Sequence, residues 1–325
     1  MTTLPPIVVL LGGPSAEHDV SIVSGTAIAE ALAGAGATVV QHLIDLDGRW
    51  WRLPDGHRRE DRAASAYDDP AALDAEGPWS AGAAIDRLAS ADPSPVVFIA
   101  LHGPFGEDGT VQAMLEAAGL AYTGSGVTAS ALGMDKAVFK RLVRGIGLPV
   151  ADWREVRLPR WLADRAAVLA ELEAFAGGTG DARLMVKPSS LGSSVGITLA
   201  HDSSEYPAAL DEAFRHDSVA LAEAYLAGAR DLEVSVIGND HAHLELYGPG
   251  EILAGHEFYD YAAKYTPGLS EINTIPGFTP ISLFPALPAE GGYTFADVCV
   301  RVVQLAVERH AARLGRRLTP ADLPR

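Results

Sequence analysis

Glu271 and Asn273 stand two residues apart in an apolar run that ends at Pro276-Gly277. The run reads as a strand entering a turn, and the period of two along a strand puts both side chains on one face. A carboxylate and an amide oxygen side by side are hard oxygen ligands of the kind that hold Mg²⁺ beside phosphates. Upstream, Lys187 at a strand end is followed by Pro188-Ser189-Ser190-Leu191-Gly192-Ser193-Ser194-Val195-Gly196. Small residues there let backbone amides approach phosphate oxygens, and the hydroxyls add donors. The order is not that of the G-x-x-x-x-G-K-[ST] phosphate loop, because the lysine precedes the glycines and no helix follows. Taken alone, the segment reads more readily as a hairpin loop with a surface lysine.

Three further clusters carry polar chemistry. Glu17-His18-Asp19 follows a glycine turn; acids at a helix start favour its positive end, and a glutamate there could equally receive an ammonium. Residues 101–110 place His102 among three glycines at a strand end, which fits either a tight loop or a polar group facing a cleft. Residues 258–265 hold Tyr259, Tyr261, Lys264 and Tyr265. A core stripe would not usually carry so many polar tips, so a closing loop whose lysine meets phosphate fits better. Only five residues separate Tyr265 from Glu271.

The elements that must position these groups alternate. Residues 7–11 form a short buried-type strand, followed by a glycine turn, a helical pattern to about residue 32 and a second strand at 38–44. That is the opening of a parallel α/β sheet. Residues 47–93 have weak periodicity and read as loops and a helix. Residues 96–101 return as a buried strand; loops at the C-terminal ends of parallel strands are where such sheets bind ligands. Asp135 can cap a helix starting at Lys136, with Val138, Leu142 and Ile146 as its apolar stripe. Residues 160–175 read as a helix closed by Gly177-Gly178, and strands are expected at 184–187, 195–199, 219–223 and 232–237. Phe295, Val298, Val302 and Leu305 mark the buried face of a last helix.

Composition bounds the rest. A chain of 325 residues, 48% apolar, is expected to form two or three compact units. A net charge of −17 argues against nucleic acid, so an anionic ligand must be held by a few placed cations and amides. One cysteine excludes an intrachain disulfide framework. No basic segment precedes the first apolar run and no run reaches membrane-spanning length, so a cytoplasmic location without a membrane partner is expected.

Read in order, the segments at 11–21, 101–112, 124–140, 187–196, 255–265 and 271–282 resemble those of the D-alanine–D-alanine ligases of the ATP-grasp superfamily. The likeness covers almost the whole chain. It implies an α/β, three-part ATP-grasp architecture: an N-terminal parallel α/β domain at 1–134, a central α+β part at 135–222 and a C-terminal α+β part at 223–325. The implied reaction joins two D-alanines through an acyl phosphate, using ATP and Mg²⁺ or Mn²⁺, for peptidoglycan precursors; a homodimer through the N-terminal part is also implied. ATP would lie between the central and C-terminal parts.

By the same resemblance, Glu17 would hold the first D-alanine's ammonium, with His102 near its carboxylate. Lys136 and Lys187 would contact the phosphates, with Ser193 and Ser194 closing over them. Ser193, Tyr265 and Glu17 would form a linking hydrogen-bond chain. Glu223 would recognise adenine, Ala224, Tyr225 and Leu226 would line its slot, and Asp231, where glutamate is usual, would hold the ribose. Lys264 would meet the transferring phosphate, Glu271 and Asn273 the metal, and Ser282 with Leu283 the second D-alanine.

One departure stands out. Between lid and metal strand the family has several tens of residues, including a helix and a core strand with an Arg-x-Asp triplet. Five residues here span no more than ~18 Å. The C-terminal sheet is therefore expected to be incomplete, from a deletion in an otherwise ordinary ligase. The alternatives are a crippled or non-catalytic nucleotide-binding relative, a divergent enzyme that recruits other metal ligands, and another ATP-grasp ligase such as a D-alanine–D-lactate ligase.

Overall fold

The computed structural model describes residues 4–192, 195–240, 242–252, 275–279 and 282–315. It divides into two compact units, one of residues 1–127, 233–250 and 273–325, the other of residues 128–232 and 251–272. The architecture is mixed α/β, with one sheet containing parallel strands and two further sheets.

In the first unit, β1 (Ile7–Gly12) leads into α1 (His18–Gly34), β2 (Val39–Ile44), β3 (Trp50–Arg52), β4 (Glu76–Trp79), α2 (Ala81–Ala89), β5 (Val96–Ile99), α3 (Thr110–Ala117) and β6 (Ala121–Tyr122). The sheet order is β4-β3-β2-β1-β5-β6. β1 pairs in parallel with β2 and β5, and β5 with β6. Alternate residues of β1 serve opposite faces, as a strand's period requires. Ile7 and Val9 pack with Ile28 and Leu32 of α1 and with Val298, Cys299 and Val303 of the last helix. Val8 and Leu10 pack with Ile85 and Leu88 of α2 and Leu115 of α3. Both faces are buried, which is why β1 is a continuous apolar run. Gly25 lets α1 approach closely, since a Cβ there would lie 2.5 Å from that of Leu11. Strands β3 and β4 lie in the stretch expected to be loops; they extend the sheet antiparallel and are too short to show a period.

The second unit follows α4 (Val127–Met134) with α5 (Lys136–Gly145), β7 (Trp153–Arg157), α6 (Leu158–Ala163), α7 (Arg165–Thr179), β8 (Leu184–Pro188), β9 (Thr198–Ala200), α8 (Tyr206–Ala213) and β10 (Val219–Ala224). The strands form an antiparallel sheet in the order β7-β10-β8-β9. Leu184, Val186, Ala220 and Ala222 pack against Val168 and Leu172 of α7 and Leu210 of α8. The opposite face carries Met185, Lys187, Leu221 and Glu223.

Two expectations are corrected here. The single helix at 160–175 is two helices, because Asp164 leaves helical geometry and caps α7 through a 3.0 Å bond from the Ala167 amide. α7 then runs through Gly177-Gly178 to Gly180, whose φ of 78° ends it. The stripe Val138-Leu142-Ile146 is not a buried face either, since Leu142 is 47% and Ile146 69% exposed and Ala137 is the buried residue of α5.

Two strands, β11 (Asp231–Ile237) and β12 (Glu245–Ile252), form a separate two-stranded sheet. Its inner face carries Ser235, Ile237 and Tyr247. Glu245 accepts hydrogen bonds from the Tyr247 and Tyr293 hydroxyls at 2.8 and 2.9 Å, and Arg301 pairs with it at 3.4 Å. Its outer face carries Val234, Val236 and Leu246, with Leu244 just before β12, all between 43% and 63% exposed. The last described elements are α9 (Leu283–Ala286) and α10 (Phe295–Leu314), the latter opened by a reciprocal capping box between Thr294 and Asp297.

Candidate active site

In the first unit the sheet order reverses between β1 and β5: the chain goes out from β1 to β2 on one side and returns at β5 on the other. Loops leaving such a reversal flank a crevice, and Glu17 and His102 stand on those two loops. Glu17 occupies the N-cap position of α1, yet its side chain makes no cap bond to that helix. The carboxylate is buried and turned to the other loop, so that a Cβ at Gly103 would lie 2.7 Å from its Oε2. The Ser15 hydroxyl donates to the His102 carbonyl at 2.7 Å, and Ser24 Oγ lies 3.1 Å from His102 Nε2. Burial pushes His102 below the ordinary histidine pKa, against the opposing pull of Glu17. A neutral imidazole beside a buried carboxylate suits a small zwitterion better than a second anion.

The other acids of the 101–110 loop serve its own backbone. Glu107 Oε2 accepts from the Gly103 amide at 2.7 Å, and Asp108 accepts from the amides of Phe105 and Thr110, each at 2.8 Å. Those bonds hold Gly103 and Phe105 at φ of 74° and 72°, a costly backbone region for a phenylalanine. Ser282 and Leu283 lie in the same unit. Ser282 stands at the N-cap position of α9 without a side-chain cap bond, and its Oγ meets Thr279 Oγ1 at 2.7 Å. Phe278 anchors this segment through edge contact with Phe98 of β5, ring centres 5.5 Å apart.

The second unit collects the cations. Asp135 caps α5 as expected, accepting from the Val138 amide at 3.1 Å. Ser189 ties that helix start to the end of β8, its hydroxyl donating to Asp135 at 2.7 Å and its carbonyl accepting from the Lys136 amide at 2.9 Å. Lys136 Nζ donates to the Leu191 carbonyl. The register pairs Leu221 with Lys187 and Glu223 with Met185, so Lys187 and Glu223 are diagonal neighbours on one face. Lys187 Nζ lies 3.0 Å from Glu223 Oε2. A third group, Lys140 of α5, reaches Glu223 Oε1 at 3.1 Å. Lys140 was not singled out from the sequence; its signal is the i, i+4 spacing from Lys136, which stacks both on one side of the helix.

Past Glu223, the Tyr225 ring stacks under Arg183 at 4.5 Å. Ala224 pairs with Leu184, and Leu226 and Asp231 are exposed. Ser193, Ser194, Lys264, Tyr265, Glu271 and Asn273 lie outside the described residues. Among the described residues no group of three or more His, Cys, Asp or Glu is placed to hold a metal ion, and no helix is long and apolar enough to cross a membrane.

Residues 6–125 match the family "D-ala D-ala ligase N-terminus", and residues 142–270 and 266–304 match "D-ala D-ala ligase C-terminus" in two pieces that meet at 266–270. The chain is 34% identical to the D-alanine–D-alanine ligase of Kineococcus radiotolerans, covering 94% of this chain and 97% of that protein. It is 35% identical to the one from Heliobacterium modesticaldum, covering 98% of each. The Kineococcus alignment spans 371 positions against 325 residues here, so that relative carries residues this chain lacks. Among solved structures, the D-alanine–D-alanine ligase from Coxiella burnetii superposes with a TM-score of 0.74 at 27% identity, over 96% of this chain and 97% of that one. The D-Ala:D-Ser ligase of Enterococcus faecalis gives 0.74 at 25%, over 94% of this chain and 100% of that one. The chain belongs to the D-alanine–D-alanine ligase family and has its ATP-grasp architecture.

Proposed function

We propose that this chain joins two D-alanines to D-alanyl-D-alanine at the expense of ATP, as a cytoplasmic step towards peptidoglycan. Beyond family membership, the observation that carries the reading is Glu17. A carboxylate at a helix start that makes no cap bond, stays buried and faces the neighbouring loop is placed for a ligand's ammonium. His102, neutral through burial, supplies a hydrogen bond to the same D-alanine's carboxylate without adding a fixed charge. Ser282 and Leu283 receive the second D-alanine.

The face of the second unit fits an adenine nucleotide: a buried carboxylate able to accept from an exocyclic amine, with cations beside it. Glu223 takes the adenine amine, Ala224, Tyr225 and Leu226 line the base, and Asp231 holds the ribose. Lys136, Lys187 and Lys264 meet the phosphates, and Ser193, Ser194 and Tyr265 close the site. The bound nucleotide supplies the phosphoryl group that turns the first carboxylate into an acyl phosphate; the second amine then forms the C–N bond as phosphate leaves. Mg²⁺ or Mn²⁺ is assigned to Glu271 and Asn273, and a homodimer to the N-terminal part.

The test is ADP release coupled to product identification, with D-alanine, ATP and Mg²⁺. Release that needs D-alanine and yields the dipeptide is expected. Glu17→Gln should raise the D-alanine requirement at least tenfold while leaving ATP affinity unchanged, since it removes the partner of a buried charge, worth roughly 1.5–3 kcal/mol. Release indifferent to D-alanine would overturn the reading, and preference for D-lactate as second substrate would change the product class.

A further inference from the structure

Lys140 has no role in the scheme above, yet it is built into the same face. Its ammonium is 3.1 Å from Glu223 Oε1, while Lys187 takes the other oxygen at 3.0 Å. All three side chains are largely buried, between 10% and 18% exposed. The register of β10 against β7 sets Trp153 opposite Glu223, and the Lys140 ammonium stands 5.2 Å from the centre of that ring. Arg144, one turn further along α5, stacks on the same ring at 4.2 Å. The helix is fixed at its start by Asp135 and Ser189. Lys140 is thus held by its helix, by an aromatic face and by a carboxylate.

A carboxylate flanked by a single lysine would neutralise it. Two lysines on one carboxylate leave a net positive charge, and the better-anchored one decides where that charge is available. We infer that Lys140 is a positioning residue for the nucleotide: it balances and orients Glu223, so that Lys187 keeps its charge for the phosphates. Burial lowers the affinity of Lys140 for its proton; Glu223 works in the opposite direction, and Lys187 and Arg144 add to the lowering. The inference rests on the nucleotide reading of this face.

The test measures ATP, ADP and adenosine affinity by titration calorimetry in the parent chain, Lys140→Met, Glu223→Gln, the double variant and Lys140→Arg. Lys140→Met should weaken ATP and ADP about tenfold or more, with adenosine affected less and the D-alanine requirement unchanged. The key comparison is the double variant. If Lys140 acts through Glu223, adding Glu223→Gln restores part of the phosphate affinity lost in Lys140→Met, because a neutral amide no longer ties up Lys187. Lys140→Arg should retain most of the affinity, and it separates lost charge from failed folding. Additive losses, or equal losses for ATP and adenosine, would overturn the inference. A parent chain that binds nucleotide but shows no D-alanine-dependent ADP release would sink the ligase reading alone; one that binds no adenine nucleotide would sink both.

Discussion

The central strands of the six-stranded sheet are covered on both faces, whereas the β11–β12 pair leaves an apolar face exposed. Beneath β1, α1 and α10 bury Ile7 and Val9; above it, α2 and α3 bury Val8 and Leu10. In the pair, Ile237 joins the first core, whereas Val234, Val236, Leu244 and Leu246 face outward and exposed. A strand that alternates polar and apolar needs one covering layer, and one apolar on both faces needs two. An isolated two-stranded sheet is also marginal by itself. The family match breaks at 266–270, a short way downstream of β12, and the Kineococcus relative carries more residues than this chain does. We predict that a segment inserted at that break covers the exposed outer face.

Inserting the Kineococcus residues across 266–270 should therefore have the largest effect. Covering four half-exposed aliphatic side chains would add a few kcal/mol, and the melting temperature should rise on the order of 10 °C. Mg²⁺-dependent turnover should rise with it. An unchanged melting temperature would mean that the outer face is already satisfied, and the contrast between the sheets would collapse.

On the covered sheet, Leu10→Ala should cost ~2–5 kcal/mol by chemical denaturation, because Leu10 is fully buried and the cavity cannot refill from solvent. A loss below ~1 kcal/mol would show that the sheet is less tightly closed than its burial implies.

His42 on β2 gives the covered sheet a pH signature. Burial, helped by Arg52, lowers its pKa from 6.5 to about 4. Below pH 6.5 the unfolded chain takes up a proton that the folded chain refuses. Stability from this group is thus complete above pH 6.5, is lost as pH falls towards 4, and changes no further below that. The loss should reach ~3 kcal/mol. Thermal melts across this range should show the slope, and His42→Phe should flatten it; an unaltered slope would assign the effect to other groups.

The smallest effect belongs to the bare face. Val236→Thr should change stability by less than ~0.5 kcal/mol. A cost similar to that of Leu10→Ala would show that something covers it.

Much of the first sheet could be read from sequence because burial on both faces writes continuous apolar runs, as in residues 7–11 and 96–99. Edge strands write none. β7 carries Arg154, Glu155 and Arg157 at the sheet margin, and β12 contains Gly248-Pro249-Gly250, which reads as a turn. α5 misled because Leu142 and Ile146 point outward while Lys140 turns to Glu223. The candidate site offers itself in the sequence where a residue type stands at an element's end, as with Glu17, His102 and Lys187. It was hidden where only three-dimensional convergence reveals it: nothing in the spacing says that Lys140 and Trp153 meet at Glu223.

The placement of α10 bears on how the chain is made. The core beneath β1 joins residues 7–32 to residues 298–306, so it cannot close until those later residues have been synthesised. At ~5–20 residues per second, the interval between the emergence of α1 and that of α10 is roughly 13–55 s. Throughout it, one apolar face of the earliest strands waits in solution. The second unit consists of residues 128–232 and 251–272, all of which emerge before α10, so it can fold within that time. The second unit is thus expected to become compact first on the ribosome, and the first unit, whose core needs residues 298–306, to finish later.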